Sequence, residues 1–293
     1  MARVDDYLVT QQEKFDFILQ QTIESPPLIV AGDFLDKARP SLELLYWIMS
    51  CIIEKGIPEI LIVPGQHDLP WHSLKYWEHS GLGILNKAGL IKLLIDPNSP
   101  YIINDIAIWP CPYGCSPIDA ITIRNLSKRI NILVWHKMVI VKGEELWPGQ
   151  TSFVAGKILR QYREYDYIVT GDNHRTFIES SNNRLLINPG SMKRDEVDQF
   201  EHRPCVFKLE DGNIYKIFLP IKEGVLNNSH IIEQKEREYR IESFLSKLNG
   251  LQLTKTDKVS FKENLKQFFT INRIEKEVEE IVWKCEGNEH NVR

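Results

Sequence analysis

Hydrophobic positions along this chain change period twice. In the first part, short runs rich in β-branched and aromatic residues predict strands at Pro27 to Ala31, Glu59 to Val63, Ile106 to Trp109, Asn131 to Trp135 and Tyr167 to Thr170. Stretches with helical spacing lie between them, at Ser41 to Lys55, Leu74 to Ala88, Ile118 to Lys128 and Phe153 to Tyr162. Strands alternating with helices predict an α/β layered fold. The pattern then shifts to hairpins. Arg175 to Glu179 and Arg184 to Asn188 flank the turn residues Ser181-Asn182-Asn183, and Cys205 to Leu209 and Ile214 to Phe218 flank Asp211-Gly212-Asn213. From Lys222 onward the chain is polar with helical period, carrying Ile241, Phe244 and Leu245 on one stretch and Ile274, Val278, Ile281 and Val282 on another. The expected organisation is a main α/β domain over residues 1–220 and a small helical appendage over 221–293.

Composition agrees with a globular chain: 43% of its 293 residues are hydrophobic and 26% charged, enough to build one large core and a smaller one. The longest apolar stretch, Leu44 to Ile53, falls short of the roughly 20 residues that span a bilayer, so no membrane passage is expected. Asp5 and Asp6 stand where a secretory signal would carry basic and then apolar residues, which leads to the expectation of a cytoplasmic protein. The five cysteines are odd in number and scattered, unlike a disulfide framework, and Cys111 and Cys115 have no second Cys/His pair to complete a structural zinc site. A net charge of −4 gives no global basic field, so nucleic acid would have to be held by a local patch and by metals.

The chemistry lies just beyond the strands, where open α/β sheets place their ligands. Four of the predicted strands run into a potential metal ligand: Gly32-Asp33-Phe34-Leu35-Asp36, Pro64-Gly65-Gln66-His67-Asp68, His136, and Gly171-Asp172-Asn173-His174. Any one of these residues alone reads more naturally as a cap or a hydrogen-bonded loop residue. Four together point to a metal centre. Carboxylates, imidazoles and an amide oxygen, with no thiolate, suit Mn or Zn. The glycines ahead of the acidic and amide residues let the backbone turn sharply and approach an ion closely. Paired divalent ions about 3.5–4 Å apart polarise a phosphoryl group and ionise an attacking water, which is phosphoester chemistry.

Order and spacing of GDFLD, PGQHD, the strand-end His136 and GDNH resemble the successive motifs of the calcineurin-like metallophosphoesterases. The similarity covers roughly Pro27 to Leu219, including Asn188-Pro189-Gly190-Ser191 after the last metal motif, and the wording GQHDLP is most similar to the DNA-repair nuclease branch with its SbcD-type exonuclease subunit. The resemblance implies a layered fold of β-sheets flanked by helices and a two-metal site, with Mn2+ as the expected cofactor. It implies that Asp33 bridges both ions, that Gln66, His136 and Asp172 complete the second site, and that His174 serves the first. His67 takes the part of the transition-state acid, with Asp36 as its family-like partner and Asp68 as the local alternative.

Three departures from the family pattern stand out. Gln66 replaces an Asn and keeps the amide oxygen at the cost of a longer side chain. Asp172 replaces a His and adds negative charge. The opening motif, a strand ending in Asp-x-His, has no counterpart ahead of Asp33. Arg3 to Leu19 looks like the linker and helix that follow that motif, so the reading in which Met1 is an internal methionine of a longer protein ranks above genuine loss of the site. Around the expected mouth, His72 is placed to touch a phosphate or base or else to be an ordinary loop histidine. Trp71, Tyr76 and Trp77 are candidates either for base stacking or for packing. Arg194, with Lys193, is a candidate cation for substrate phosphate. The expected function is a metal-dependent phosphodiester hydrolase, a DNA exonuclease or endonuclease acting in repair or recombination. The expected partners are DNA and an SMC-like ATPase subunit, with a homodimer also open. The competing readings are a small-molecule or nucleotide phosphodiesterase and a catalytically silent binding or scaffold protein.

Overall fold

The computed structural model describes residues 5–24, 26–57, 59–118, 130–144, 152–194, 199, 201–225, 261–272 and 274–288. Two compact units are present, Met1–Ile231 and Ile232–Arg293.

The first unit begins with α1 (Tyr7–Glu24), β1 (Leu28–Val30), α2 (Leu42–Lys55) and β2 (Ile60–Ile62). Two short 3-10 turns, Pro70–His72 and Leu74–His79, lead to α3 (Gly81–Lys87) and β3 (Lys92–Leu93). There follow β4 (Tyr101–Ile103), β5 (Ile106–Cys111), β6 (Ile130–His136), β7 (Val139–Ile140), β8 (Phe153–Val154), α4 (Ala155–Gln161) and β9 (Tyr167–Gly171). The hairpins are β10 (Phe177–Ser181) with β11 (Arg184–Asn188), and β12 (Cys205–Glu210) with β13 (Asn213–Phe218).

β1, β2 and β3 form a parallel three-stranded sheet. The larger sheet has the order β10-β11-β9-β6-β5-β4, parallel through its centre and antiparallel at both edges. Alternation along the strands stacks these elements into four layers. On β2, Ile60 and Ile62 join α1, α2 and α3 in one core, while Leu61 and Val63 face Ile108, Ile132 and Val134 of the larger sheet in a second. On β6, Leu133 and Trp135 turn the other way, into a third core with Ile158 and Leu159 of α4. Both sheets are therefore covered on both faces, which is why β2, β5 and β6 read as unbroken apolar runs rather than alternating ones. The layered α/β expectation is met, among the described residues, as helices, sheet, sheet, helix.

Local signals explain most boundaries. Ser41 Oγ accepts from Leu44 N at 3.2 Å to start α2, and Gly56, at φ 60, ends it in the left-handed conformation. The single helix expected over Leu74 to Ala88 is instead a 3-10 turn and a short helix, because Ser80 caps α3 by accepting from Gly83 N at 3.1 Å. The expected helix over Ile118 to Lys128 lies almost wholly outside the described residues, as do Ile241, Phe244 and Leu245. In the second unit, α5 (Phe261–Ile271) and α6 (Lys276–Asn288) share a core of Leu265, Phe268 and Phe269, packed by Ile274, Val282 and Trp283. The expected apolar stripe there splits: Val278 and Ile281 are exposed. Among the described residues no helix is long and apolar enough to cross a membrane.

Leu133, fully buried at the centre of the larger sheet, tests this layering. Leu133→Ala is expected to cost about 3 kcal/mol by urea denaturation, the usual toll of a core cavity; a cost near zero would mean that its face of the sheet is not packed.

Candidate metal centre

The carboxyl ends of β1, β2, β6 and β9 converge. Asp33, His136 and Asp172 offer ligand atoms that all lie within 4.8 Å of one another. Gln66 closes the group: its Oε1 is 2.7 Å from His136 Nε2, and its Nε2 donates to Asp172 Oδ1 at 2.8 Å. Asp33 Oδ2 lies 3.4 Å from the same His136 Nε2, and Asp33 Oδ1 accepts from the backbone N–H of His67 at 2.9 Å. Four of the five residues expected as metal ligands are thus brought to one point. The fifth, His174, is outside the cluster; it is exposed, and its Nδ1 lies 3.4 Å from Gln199 Nε2.

This proximity needs glycine. Gly32 has φ 89, and a Cβ there would collide with the His136 imidazole; a Cβ at Gly171 would collide with the Ala31 carbonyl. Asp33 and Asp172 themselves sit at φ 49 and 80, a conformation side-chain-bearing residues seldom adopt. Strained ligands of this kind persist where the surroundings fix them.

The imidazole of His136 is 1% exposed, and its Nδ1 lies 2.7 Å from Ala31 O. That bond assigns the proton to Nδ1 and leaves the Nε2 lone pair facing two oxygens, Gln66 Oε1 and Asp33 Oδ2. A lone pair aimed at two oxygens is repulsive unless a cation or a second proton lies between them. The donor set therefore fits a divalent cation of the Mn or Zn type. Protonation gives the same signal: burial works against the charged His136 ring, yet the hydrogen bond and charge of Asp33, with Ala31 O and Asp172, raise its pKa above the ordinary 6.5. Burial likewise pushes Asp33 upward, but His136 and the His67 N–H outweigh it and hold the carboxyl below its usual value.

The two candidate partners of His67 serve elsewhere. Asp68 is fully buried, and its carboxylate accepts from the backbone N–H of Gly65 at 2.9 Å, Leu35 at 2.9 Å and Phe34 at 3.3 Å. It pins the loop carrying Asp33 to the loop carrying Gln66. Burial raises its pKa to about 6 despite the amide donors of Gly65 and Leu35. Asp36 is exposed and pairs with Lys193 at 3.7 Å. Among the described residues the His67 ring makes no hydrogen bond; it is exposed and meets His72 edge-on, centroids 6.2 Å apart. His72 is exposed too, with Nδ1 3.0 Å from Gln66 O. Arg194, expected as a phosphate ligand, is 8% exposed, and its Nε donates to Gln199 O at 3.4 Å, so it belongs to its own loop.

Two supporting residues have roles that the sequence left unassigned: Asn188, noted there only as part of the segment after the last motif, and Lys14. Asn188 is fully buried; its Nδ2 donates to the carbonyls of Asn173 and Arg175, both at 2.7 Å, and its Oδ1 accepts from Thr170 at 3.1 Å, which fixes the turn presenting Asp172. Lys14, 1% exposed on α1, donates to Met192 O at 2.7 Å. The available signal was spacing: Thr10, Lys14, Ile18 and Thr22 recur every fourth residue on the buried face of α1.

No protein-family model and no curated protein matches the chain. Solved structures with some similarity include TT1561 of Thermus thermophilus, at 14% identity over 72% of this chain and 94% of that one, with TM-score 0.46. A novel archaeal phosphodiesterase matches at 16% identity over 73% and 94%, TM-score 0.38. Phosphopantetheinyl hydrolase from Mycobacterium tuberculosis matches at 12% over 65% and 84%, TM-score 0.41. Likenesses this distant carry no argument about chemistry, which rests on the side chains above.

Asp68→Ala strands three backbone N–H groups and is expected to cost about 3 kcal/mol or more by denaturant unfolding at neutral pH. A loss within 0.5 kcal/mol, roughly a neutral surface change, would show that the loops hold without it. Protons and cation compete for His136 Nε2, and its pKa is raised above 6.5. Calorimetric Mn2+ affinity is therefore expected to fall continuously as pH is lowered from about 8 to about 6, whereas a flat profile would exclude His136 as a ligand.

Proposed function

We propose that this chain is a metal-dependent phosphodiester hydrolase and that DNA is its substrate. The observation that carries the reading is the meeting of Asp33, Gln66, His136 and Asp172 from four separate strand ends, with the His136 lone pair facing two oxygens. These residues would hold a divalent cation, with Mn2+ the expected ion, through two carboxylates, an amide oxygen and Nε2. Such an ion supplies Lewis-acid charge to a phosphoryl group and lowers the pKa of water. Asp33 is kept ionised by His136 and by the His67 N–H, as a ligand must be. Gln66 orients Asp172 by donating to it. His67, exposed beside Asp33 and without a hydrogen-bond partner among the described residues, is available to protonate the leaving oxygen. The grouped residues Asp33, His136 and Asp172, with Gln66, are those assigned to the second site, and His174 stands outside that group.

The DNA part of the reading is supported by the resemblance of GDFLD, GQHDLP and GDNH to the repair-nuclease branch. An SMC-like ATPase partner is supported by that resemblance and by the exposed Val278 and Ile281, three residues apart on α6.

With Mn2+, the chain is expected to cut labelled single- or double-stranded DNA. His67→Ala is expected to lower kcat about 100-fold while Mn2+ affinity is kept, the loss of a general acid. Cleavage of simple phosphodiester reporters with every form of DNA left intact would replace DNA by a small-molecule substrate. Failure to bind Mn2+ would leave a binding or scaffold protein.

A further inference from the structure

One feature beside the metal centre has no part in holding it. Trp71 is 71% exposed, whereas Trp109 and Trp135 are 1% and 3% exposed. It is the only tryptophan among the described residues that stands largely in solvent. Trp71 and His72 both have φ 54, two consecutive side-chain-bearing residues in the left-handed region. A bulky aromatic there is a conformational outlier. The chain thus accepts backbone strain and, at the same position, leaves the largest apolar side chain in water. Neither serves the core.

The turn is held in that shape by the metal-site loop itself. Leu69 N donates to Gln66 O at 3.3 Å, His72 Nδ1 lies 3.0 Å from the same oxygen, and His72 N donates to Leu69 O at 3.0 Å. Trp71 is therefore fixed one short turn beyond Gln66, on a rim already bearing His67 and His72. Tyr76 meets the indole edge-on, centroids 5.0 Å apart at 74°, which holds the ring upright without stacking on it. The guanidinium of Arg39, on the loop that follows Asp33, lies over one face of the indole, 5.6 Å from its centroid, which leaves stacking to the opposite face. The two loops that supply Asp33 and Gln66 meet again here, as a cation over one face of an aromatic plane.

We propose that Trp71, braced by Tyr76 and flanked by Arg39, is a stacking platform for a nucleobase attached to the phosphodiester that the metal centre engages. This rests on the phosphodiesterase reading and assigns the residue that holds a base of the substrate, which that reading does not name. A rigid aromatic plane with a neighbouring cation matches a planar base joined to an anionic backbone, and it tolerates any base because each presents a π face. An alkyl phosphate offers the anion and not the π face.

The test compares thymidylyl-(3′→5′)-thymidine with counterparts in which either thymine is removed to leave an abasic deoxyribose ring, using the full chain with Mn2+. The wild-type chain is expected to prefer the base-bearing dinucleotide by kcat/KM, and Trp71→Ala to reduce that preference by about tenfold, in the range of one lost base stack. Trp71→Phe is expected to keep most of it. No preference in the wild type, or an undiminished one in Trp71→Ala, overturns the platform while leaving the hydrolase reading intact. In metal-free buffer, the dinucleotide is expected to quench tryptophan emission and Trp71→Phe to abolish the quench. That result without any hydrolysis by the wild type would keep the platform and sink the hydrolase reading, whereas an unchanged quench overturns the platform. Repeating the kinetics with the p-nitrophenyl ester of thymidine 5′-monophosphate and with an oligothymidylate strand separates the two sources of a base. A Trp71→Ala effect confined to the ester assigns a free nucleotide, and one seen with the strand assigns single-stranded nucleic acid.

Discussion

The hydrogen bond between His136 Nδ1 and Ala31 O, 2.7 Å long, ties the end of a central strand in the six-stranded sheet to the end of β1 in the three-stranded one. Because both sheets are packed on both faces, their strands cannot shift without disturbing a core, so the bond fixes where the strand ends meet. It also settles the chemistry of the ring. With Nδ1 engaged, Nε2 faces Asp33 and Gln66, an arrangement whose donor set fits a cation.

The close approach has a structural cost, and the chain shows where it is met. Gly32 and Gly171 are small because a Cβ at either would push the two sheets apart. Asp33 and Asp172 hold left-handed backbone conformations. Two buried polar residues keep these turns in place. Asp68 gathers the amides of Gly65, Phe34 and Leu35, and Asn188 bridges the carbonyls around Asp172. Buried polar groups of this kind stabilise only when satisfied; here their partners are the backbone of the metal-site loops, so the same contacts serve folding and site geometry.

Much of this was legible in the sequence, for definite reasons. Strands buried on both faces leave continuous apolar runs, and a ligand at a strand end leaves an acidic, amide or imidazole residue immediately after such a run. Asp33, Gln66, His136 and Asp172 all carry that signature. What failed was the direction of side chains within turns. Asp36 and Asp68 both looked like partners for His67, but one points to Lys193 and the other inward to backbone amides. Arg194, a candidate cation for substrate phosphate, is buried and donates to Gln199 O.

The layered α/β class, the strand-end positions of the candidate ligands and their chemical type are all written in periodicity and residue chemistry, which are local. Which of them share a point in space, that His174 stands outside that group, and that Trp71 is held out in solvent beside the site are set by packing across the fold. Those outcomes depend on how two sheets pack and on the few degrees of backbone freedom in each turn, and neither is encoded in the spacing of any one segment.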